Sequence, residues 1–569
     1  MLSKLIREIF KNFEMNKKIN LIIPLLIAVS VAAGILIGNL LNRNSQTGFI
    51  GIRSDNSNKI STILQLVEQG YVDSVNTASI IEKTIPEILK NLDPHTSYIP
   101  ARDMQEVQEE MTGKFSGIGV QFSIMEDTVR VIEVISGGPS SKVGVLPGDR
   151  IVKVNDSIIA GVNVVNATVL SLLRGEKSTK VLVGIIRKGT EKELEFEITR
   201  GDIPINSIDV SYMIDAETGF IKISRFANKT YKDFMDGMEK LSDSGATKVI
   251  IDLRQNPGGS LVSVLQMVDE FLGKDEPILY TEGVNQPRKT YNASGKNTWK
   301  DIQVYVMIDE FSASASEIFA GAIQDNDRGF IIGRRSFGKG LVQEQIPLSD
   351  GSALRLTVAR FYTPSGRCIQ SSYENGNEDY YNNIYERFHN MEQLVADSIH
   401  FADSLKYTTR SGRIVYGGGG IMPDFFVPVD TSGNSEYYNS IFRKGLVYSF
   451  AYNYADEHRK ILSDFTKADE FDEYLDKKNV LGDFVKYAAE KGIPRDNEGL
   501  KTSALIINSQ LKAYIARNII GEEGFYPMIK KIDNTLLRTI EISKQNLLVE
   551  NINSMENREL VKKFRSNLW

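Results

Sequence analysis

The chain has 569 residues, with 67 Lys and Arg against 73 Asp and Glu and a formal net charge of −6. That length is enough for about three or four domains with real cores, and the mild charge excludes a generally basic nucleic-acid binder. The single cysteine, Cys368, excludes an intrachain disulfide and a cysteine-rich metal site, and none of His95, His389, His400 and His458 sits in a HExxH pair that would hold zinc.

In chain order, Leu21 to Leu41 form an apolar run without a charge, and a spanning helix needs about 20 such residues. Lys4, Arg7, Lys11, Lys17 and Lys18 precede it, so by the positive-inside rule that end stays cytoplasmic and the remainder is exported. A cleaved signal peptide is the alternative, but its apolar region is shorter and ends in a small-residue site that this run lacks. The expectation is a cytoplasmic segment 1–18, a transmembrane signal anchor 19–42 and a polar linker 43–58. A helical cap follows over 59–102, predicted as Ile60–Tyr71 and Ala78–Leu92 and ending in Leu92-Asp93-Pro94-His95-Thr96-Ser97-Tyr98.

Short β segments separated by Gly, Pro and Asp turns mark 103–201, with one helix predicted at Val162–Leu173. The Gly117-Ile118-Gly119-Val120 loop, the Ser136-Gly137-Gly138-Pro139-Ser140 turn and Leu146-Pro147-Gly148-Asp149-Arg150-Ile151 together resemble a PDZ domain of the permuted kind found in exported bacterial proteases. The resemblance implies that Gly117, Ile118, Gly119 and Val120 receive a peptide's terminal carboxylate while the peptide adds a strand. Arg174, just after the helix, is a candidate for coupling tail binding to the rest of the chain.

From 202 to 430 strand and helix alternate, which argues for an α/β layered core. A polar, helical insertion is expected at 374–410, and helical periodicity without chemistry fills 431–569. Three sites in the core carry chemistry. Ile250-Ile251-Asp252-Leu253-Arg254-Gln255-Asn256-Pro257-Gly258-Gly259 runs a buried strand into a glycine turn ahead of a helix, and backbone N–H groups there suit an anion or oxyanion. A tight structural turn or a phosphate cradle would use the same residues. Ser312-Ala313-Ser314-Ala315-Ser316 opens another helix; serines here serve as N-caps, but the interleaved alanines leave room for a substrate backbone. Phe337-Gly338-Lys339-Gly340-Leu341-Val342-Gln343 offers a lysine that burial can make neutral and a glutamine to orient it, unless Lys339 is a plain loop lysine.

Together with the Asp93-Pro94-His95 segment and the closing Gly418-Gly419-Gly420-Ile421-Met422-Pro423-Asp424, these motifs resemble the C-terminal processing peptidases, tail-specific serine proteases of family S41. The resemblance implies a multidomain α/β protein: a ClpP/crotonase-like core with an inserted PDZ domain, N-terminal helices and an all-α C-terminal extension. It implies Ser314 as nucleophile, Lys339 as general base, Gln343 as its orienter, and Ala315 with Gly258 or Gly259 as the oxyanion hole, with no metal or other cofactor. The expected enzyme is anchored in a bacterial inner membrane with its catalytic part on the periplasmic side. It takes protein tails as partners, binds no nucleic acid and pairs as a homodimer through the N-terminal helices. Three rivals stand beside it: an inactive PDZ scaffold, a crotonase-like acyl-CoA enzyme, which export would part from its CoA, and a penicillin-binding type of acyl-enzyme in which Ser336-Phe337-Gly338-Lys339 supplies S-x-x-K. Gly338 and Gly340 weigh against the helix that motif needs.

Overall fold

The computed structural model describes residues 29–31, 59–135, 137–190, 192–395, 402–545 and 547. The expected anchor and linker therefore lie outside the described residues apart from 29–31, and among the described residues no helix is long and apolar enough to cross a membrane. The chain divides into two compact units, Met1–Thr84 and Ile85–Trp569. Lys59–Gly70 and Thr77–Leu89 are helices, and neither contains a fully buried residue.

A six-stranded sheet forms the centre of the larger unit. Thr218–Ile223, Lys248–Asp252, Gln303–Ile308, Gly329–Gly333 and Phe425–Phe426 run parallel, and Ile208–Met213 adds an antiparallel edge. The strands are buried on both faces, as parallel strands usually are. Successive side chains split between two cores: Ile221, Val249, Ile251, Val304, Val306 and Ile331 enter one, while Phe220, Ile250, Tyr305, Met307, Phe330 and Ile332 enter the other. That alternation is the period of two a pleated strand imposes. The first core is covered by the helices Thr230–Asp243, Leu261–Asp269 and Ala315–Asp325. The second is covered by Leu536, Ile542 and Leu547 from the C-terminal extension.

A five-stranded sheet stands beside it, built from Ser97–Ile99, Ala353–Tyr362, Leu341–Pro347 and the hairpin Pro277–Gly283/Gln286–Asn292. That last hairpin carries no strand signal in the sequence, because its second strand is polar and largely exposed. The PDZ-like module has the sheet order Val120–Met125, Thr128–Val134, Arg150–Val154, Lys180–Ile186, Leu194–Thr199. Its entry and exit, Lys114–Gly117 and Gly201–Pro204, pair antiparallel as a neck. Its helix begins at Asn166, not at Val162, with Val165 extended as the preceding residue; the Val-rich stretch loses too much side-chain freedom in a helix to start one. The insertion is also only partly helical: Asn377–His389 is a helix, but Lys406–Thr408 and Ile414–Tyr416 form a two-stranded ladder.

The extension holds helices from Glu436–Arg443 to Asn534–Ser543, built around a core that includes Ile441, Phe450, Phe471, Phe484, Ile507 and Leu511. The long Asn497–Ile520 helix is its axis, capped by the Asp496 carboxylate accepting the Glu498 and Gly499 N–H groups.

Candidate active site

The site forms where two strand ends meet. Ser314 sits between the strand Gln303–Ile308 and the helix Ala315–Asp325, half-buried, with φ 53°. A serine in the left-handed region is strained, so the surroundings must hold it there. They do so from several sides. Asn256 carbonyl accepts the Ala313 N–H (3.0 Å) and the Ser316 hydroxyl (2.9 Å), and the Ser312 hydroxyl donates to Leu253 carbonyl (2.9 Å). Glu317 accepts the Ser314 N–H at 2.8 Å.

The two glycines of the first motif have different jobs. A Cβ on Gly258 would lie 2.7 Å from Ala313 carbonyl and 2.8 Å from Ser314 Cβ, so only glycine lets the loop lie against the serine turn. Its N–H is not free, because Asn256 Oδ1 accepts it at 2.9 Å. Gly259 bridges Phe226 through its neighbours: Phe226 N–H donates to Gly258 carbonyl and Ser260 N–H donates to Phe226 carbonyl. The Gly259 N–H itself has no acceptor among the described residues, and neither has that of Ala315 at the helix start. Of the glycine pair expected as oxyanion donors, only Gly259 keeps its N–H available. Two free N–H groups at a helix N-terminus suit a developing negative oxygen.

Lys339 lies half-buried in the loop before Leu341–Pro347, and its amine donates to Gln343 Oε1 at 3.1 Å. No hydrogen bond joins that amine to the Ser314 hydroxyl. Burial lowers the amine's pKa and the Arg355 guanidinium lowers it further, while Glu317 and Asp93 pull the other way. The Gln343 amide in turn donates to His95 carbonyl. His95 is fixed by Tyr380 of the insertion helix, Nε2 to hydroxyl at 3.0 Å, and its pKa is lowered to about 4 by burial and by Lys339, against a smaller pull from Asp93. That imidazole therefore stays neutral through the physiological range.

Glu317 is the residue the sequence reading missed. It is fully buried, and its two oxygens accept four donors: Ser336 hydroxyl (2.6 Å) and Gly338 N–H (2.7 Å) on one, Lys339 N–H (2.9 Å) and Ser314 N–H (2.8 Å) on the other. One carboxylate thus ties the serine turn to the lysine loop. Burial raises its pKa to about 7, opposed by those hydrogen bonds. A signal existed, since Ser-x-x-Glu at a helix start is the capping-box pattern. Ser336, the serine of the S-x-x-K alternative, lies in the same non-helical loop; its hydroxyl donates to Glu317 and accepts the Ile421 N–H at 2.6 Å. Without a helix it does not stack over Lys339 as that motif requires, and its removal would leave the buried Ile421 N–H without an acceptor and Glu317 with one donor fewer.

At the PDZ-like module, Ile118 carbonyl accepts the Ser140 N–H and Gly119 carbonyl accepts the Ile135 N–H. The N–H groups of Ile118 and Gly119 have no acceptor among the described residues. Gly117 ends the neck strand and Val120 begins the strand that pairs with Thr128–Val134. Arg174 turns toward the neck: its guanidinium lies 4.6 Å from the Phe115 ring centroid and 3.9 Å from Glu109. Cys368 is partly exposed, and burial raises its pKa. Among the described residues no three His, Cys, Asp or Glu side chains converge as a metal site.

A serine held on a strained backbone at a helix start, a partly desolvated amine and two N–H groups without an acceptor among the described residues are the equipment of a serine hydrolase. Comparison with known proteins agrees. Peptidase family S41 matches residues 217–376, a PDZ domain matches 116–198, and a family of unknown function, DUF8443, matches 437–521. A carboxy-terminal-processing protease of Bartonella bacilliformis is 35% identical over 317 residues, 55% of this chain and 72% of that one. Carboxy-terminal processing protease CtpB of Bacillus subtilis is 33% identical over 314 residues, 55% of this chain and 65% of that one. Among solved structures, a photosystem II D1 C-terminal processing protease aligns with 56% of this chain and 91% of its own, at 25% identity and a TM-score of 0.32. The chain belongs to peptidase family S41 and is a carboxy-terminal processing serine protease carrying a PDZ domain.

Proposed function

We propose that the protein is an exported endopeptidase, anchored in a bacterial inner membrane by residues 19–42, that cleaves proteins at or near their C-terminal tails with a Ser314–Lys339 dyad. Neutral Lys339 takes the Ser314 proton as the hydroxyl attacks the scissile carbonyl, and the Ala315 and Gly259 N–H groups hold the tetrahedral oxygen. The lysine then gives its proton to the leaving amine, forming an acyl-enzyme. Water attacks the ester, Lys339 accepts its proton, and the serine is restored as the acid departs. Gln343 aims the amine throughout. The observation that carries this reading is the Glu317 carboxylate, which fastens the serine turn and the lysine loop to one oxygen.

The free N–H groups of Ile118 and Gly119 support capture of a terminal carboxylate, with the tail adding a strand along Val120–Met125. Arg174, held at the neck by Phe115 and Glu109, is placed to pass that event toward the core. The N-terminal helices, which expose Ile60, Ile63 and Leu66, support pairing of two copies. Incubation with denatured proteins that differ only in their last residues tests the reading. Cleavage should follow an apolar tail and vanish in Ser314→Ala; indifference to the tail would remove the tail-sensing part. Fractionation of cells with and without residues 1–42 tests the anchor.

A further inference from the structure

The C-terminal helices carry no catalytic motif, yet they grip the rest of the molecule at two functional places. One grip is on the protease. Asp533, which precedes the helix Asn534–Ser543, holds Arg254 in a two-pronged pair, Nη1 to Oδ1 at 2.8 Å and Nη2 to Oδ2 at 2.6 Å. Arg254 also forks onto Asp252, at 3.0 and 2.7 Å, and its carbonyl accepts the Lys222 amine. Burial works against the Arg254 charge, but Asp252 and Asp533 more than offset it. Arg254 begins the turn that runs through Gln255, at φ 61°, and Asn256 to the free N–H of Gly259. The extension therefore fixes the root of the oxyanion loop.

The other grip is on the PDZ domain. Arg130 donates to Asn453 Oδ1 at 2.8 Å and lies 5.6 Å from the Tyr452 ring centroid, while Tyr452 packs on Met125 and Ile132. Lys491 pairs with Glu126 at 2.8 Å. Met125, Glu126 and Arg130 belong to the hairpin whose first strand would receive a tail. Both grips belong to one packed body, since the helices Leu446–Glu457 and Val480–Glu490 share a core with Asn497–Ile520 and with Met528, on the helix Glu522–Ile529 that leads into Asp533.

We propose that the C-terminal helical domain is a strut holding the tail-receiving hairpin and the oxyanion loop in one frame, with Asp533 a positioning residue for catalysis. The inference rests on the reading of Gly259 and Ala315 as oxyanion donors. The test uses the full chain with Asp533→Asn. Asparagine caps helices as well as aspartate does, so the bond from Leu536 N–H to residue 533 survives while the charge pair is lost.

Labelling with a serine-directed acylating reagent counts working sites, and kcat and KM are read on a tailed and a tail-less substrate. Per labelled serine, kcat should fall about tenfold, less than the loss from removing a whole oxyanion donor, with KM for the tailed substrate unchanged. Lys491→Ala, at an exposed position, should instead raise KM for the tailed substrate and leave kcat on the tail-less one unchanged. Fewer labelled serines with wild-type turnover per serine, or wild-type kcat throughout, would overturn the proposal. If Asp533→Asn fails to fold, Asp533→Ser is read in the same way; failure of both makes Asp533 purely structural and overturns it as well. If the wild type is not labelled at Ser314, the fault lies with the site reading and not with the strut.

Discussion

The catalytic core and the C-terminal helical domain each enclose a buried apolar core, but they are built by different rules. In the core, function sits in loops between buried strands, where glycines, a strained serine and a flanked lysine leave a chemical signature. In the helical domain the residues that reach out, Asp533, Lys491 and Asn453 among them, look in the sequence like ordinary polar side chains. One region announces its role through residue type, and the other only through what it touches. The difference is physical: a reacting group must be exposed, aimed and desolvated, whereas a brace needs only a rigid axis and a few end contacts.

Removing the core's chemistry should have the largest effect. Ser314→Ala and Lys339→Met should each lower kcat by about three orders of magnitude or more, as losing a member of a catalytic unit does, with melting temperature nearly unchanged. If Lys339→Met retained activity, the amine would be only a brace and the contrast between the regions would fail. Next comes Glu317→Gln, which replaces one of two acceptor oxygens with a donor and leaves buried N–H groups unsatisfied, at about 1–3 kcal/mol each. Both stability and kcat should fall, and Ser336→Ala should fall in the same way but less, as followed by thermal unfolding and turnover.

The pH dependence sharpens the comparison. In the proposed dyad the reactive form of Lys339 is neutral, and its pKa lies below the ordinary lysine value, so activity should be lost as pH falls through that pKa and should rise to a plateau above it. Because His95 titrates only near 4, the rising limb belongs to the amine and not to an imidazole. Arg355→Gln removes one cause of the depression, so the limb should move to higher pH. Glu317 adds an opposite term to stability. Its pKa is raised to about 7, so the stability linked to its protonated form is complete below the unfolded carboxyl value and is lost as pH rises through 7. The Glu317→Gln variant should lose that slope. The smallest effect is expected from Cys368→Ser, which touches no part of the proposed chemistry and should leave kcat within about twofold.

Much of this was legible in the sequence. The alternation of strand and helix, the serine and lysine loops and the PDZ-like module were all readable because buried parallel strands and glycine turns are distinctive. Three features were not. The exposed hairpin Gln286–Asn292 lacks the apolar alternation that marks a strand. Glu317 reads as a helix-capping acid, and nothing local reveals that Gly338 and Lys339 come back to meet it. Asp533 lies 279 residues from Arg254, a separation across which no pattern in one sequence reports a contact.

The central claim is that one partly desolvated amine activates one hydroxyl. Its most direct test is the rate at which a serine-directed acylating reagent modifies the full chain across pH, with the adduct located by mass spectrometry. The account predicts a single adduct on Ser314 whose formation rate rises through a midpoint below the ordinary lysine value and collapses in Lys339→Met. An adduct on Ser336, or undiminished labelling of Ser314 in the Lys339→Met chain, would contradict it.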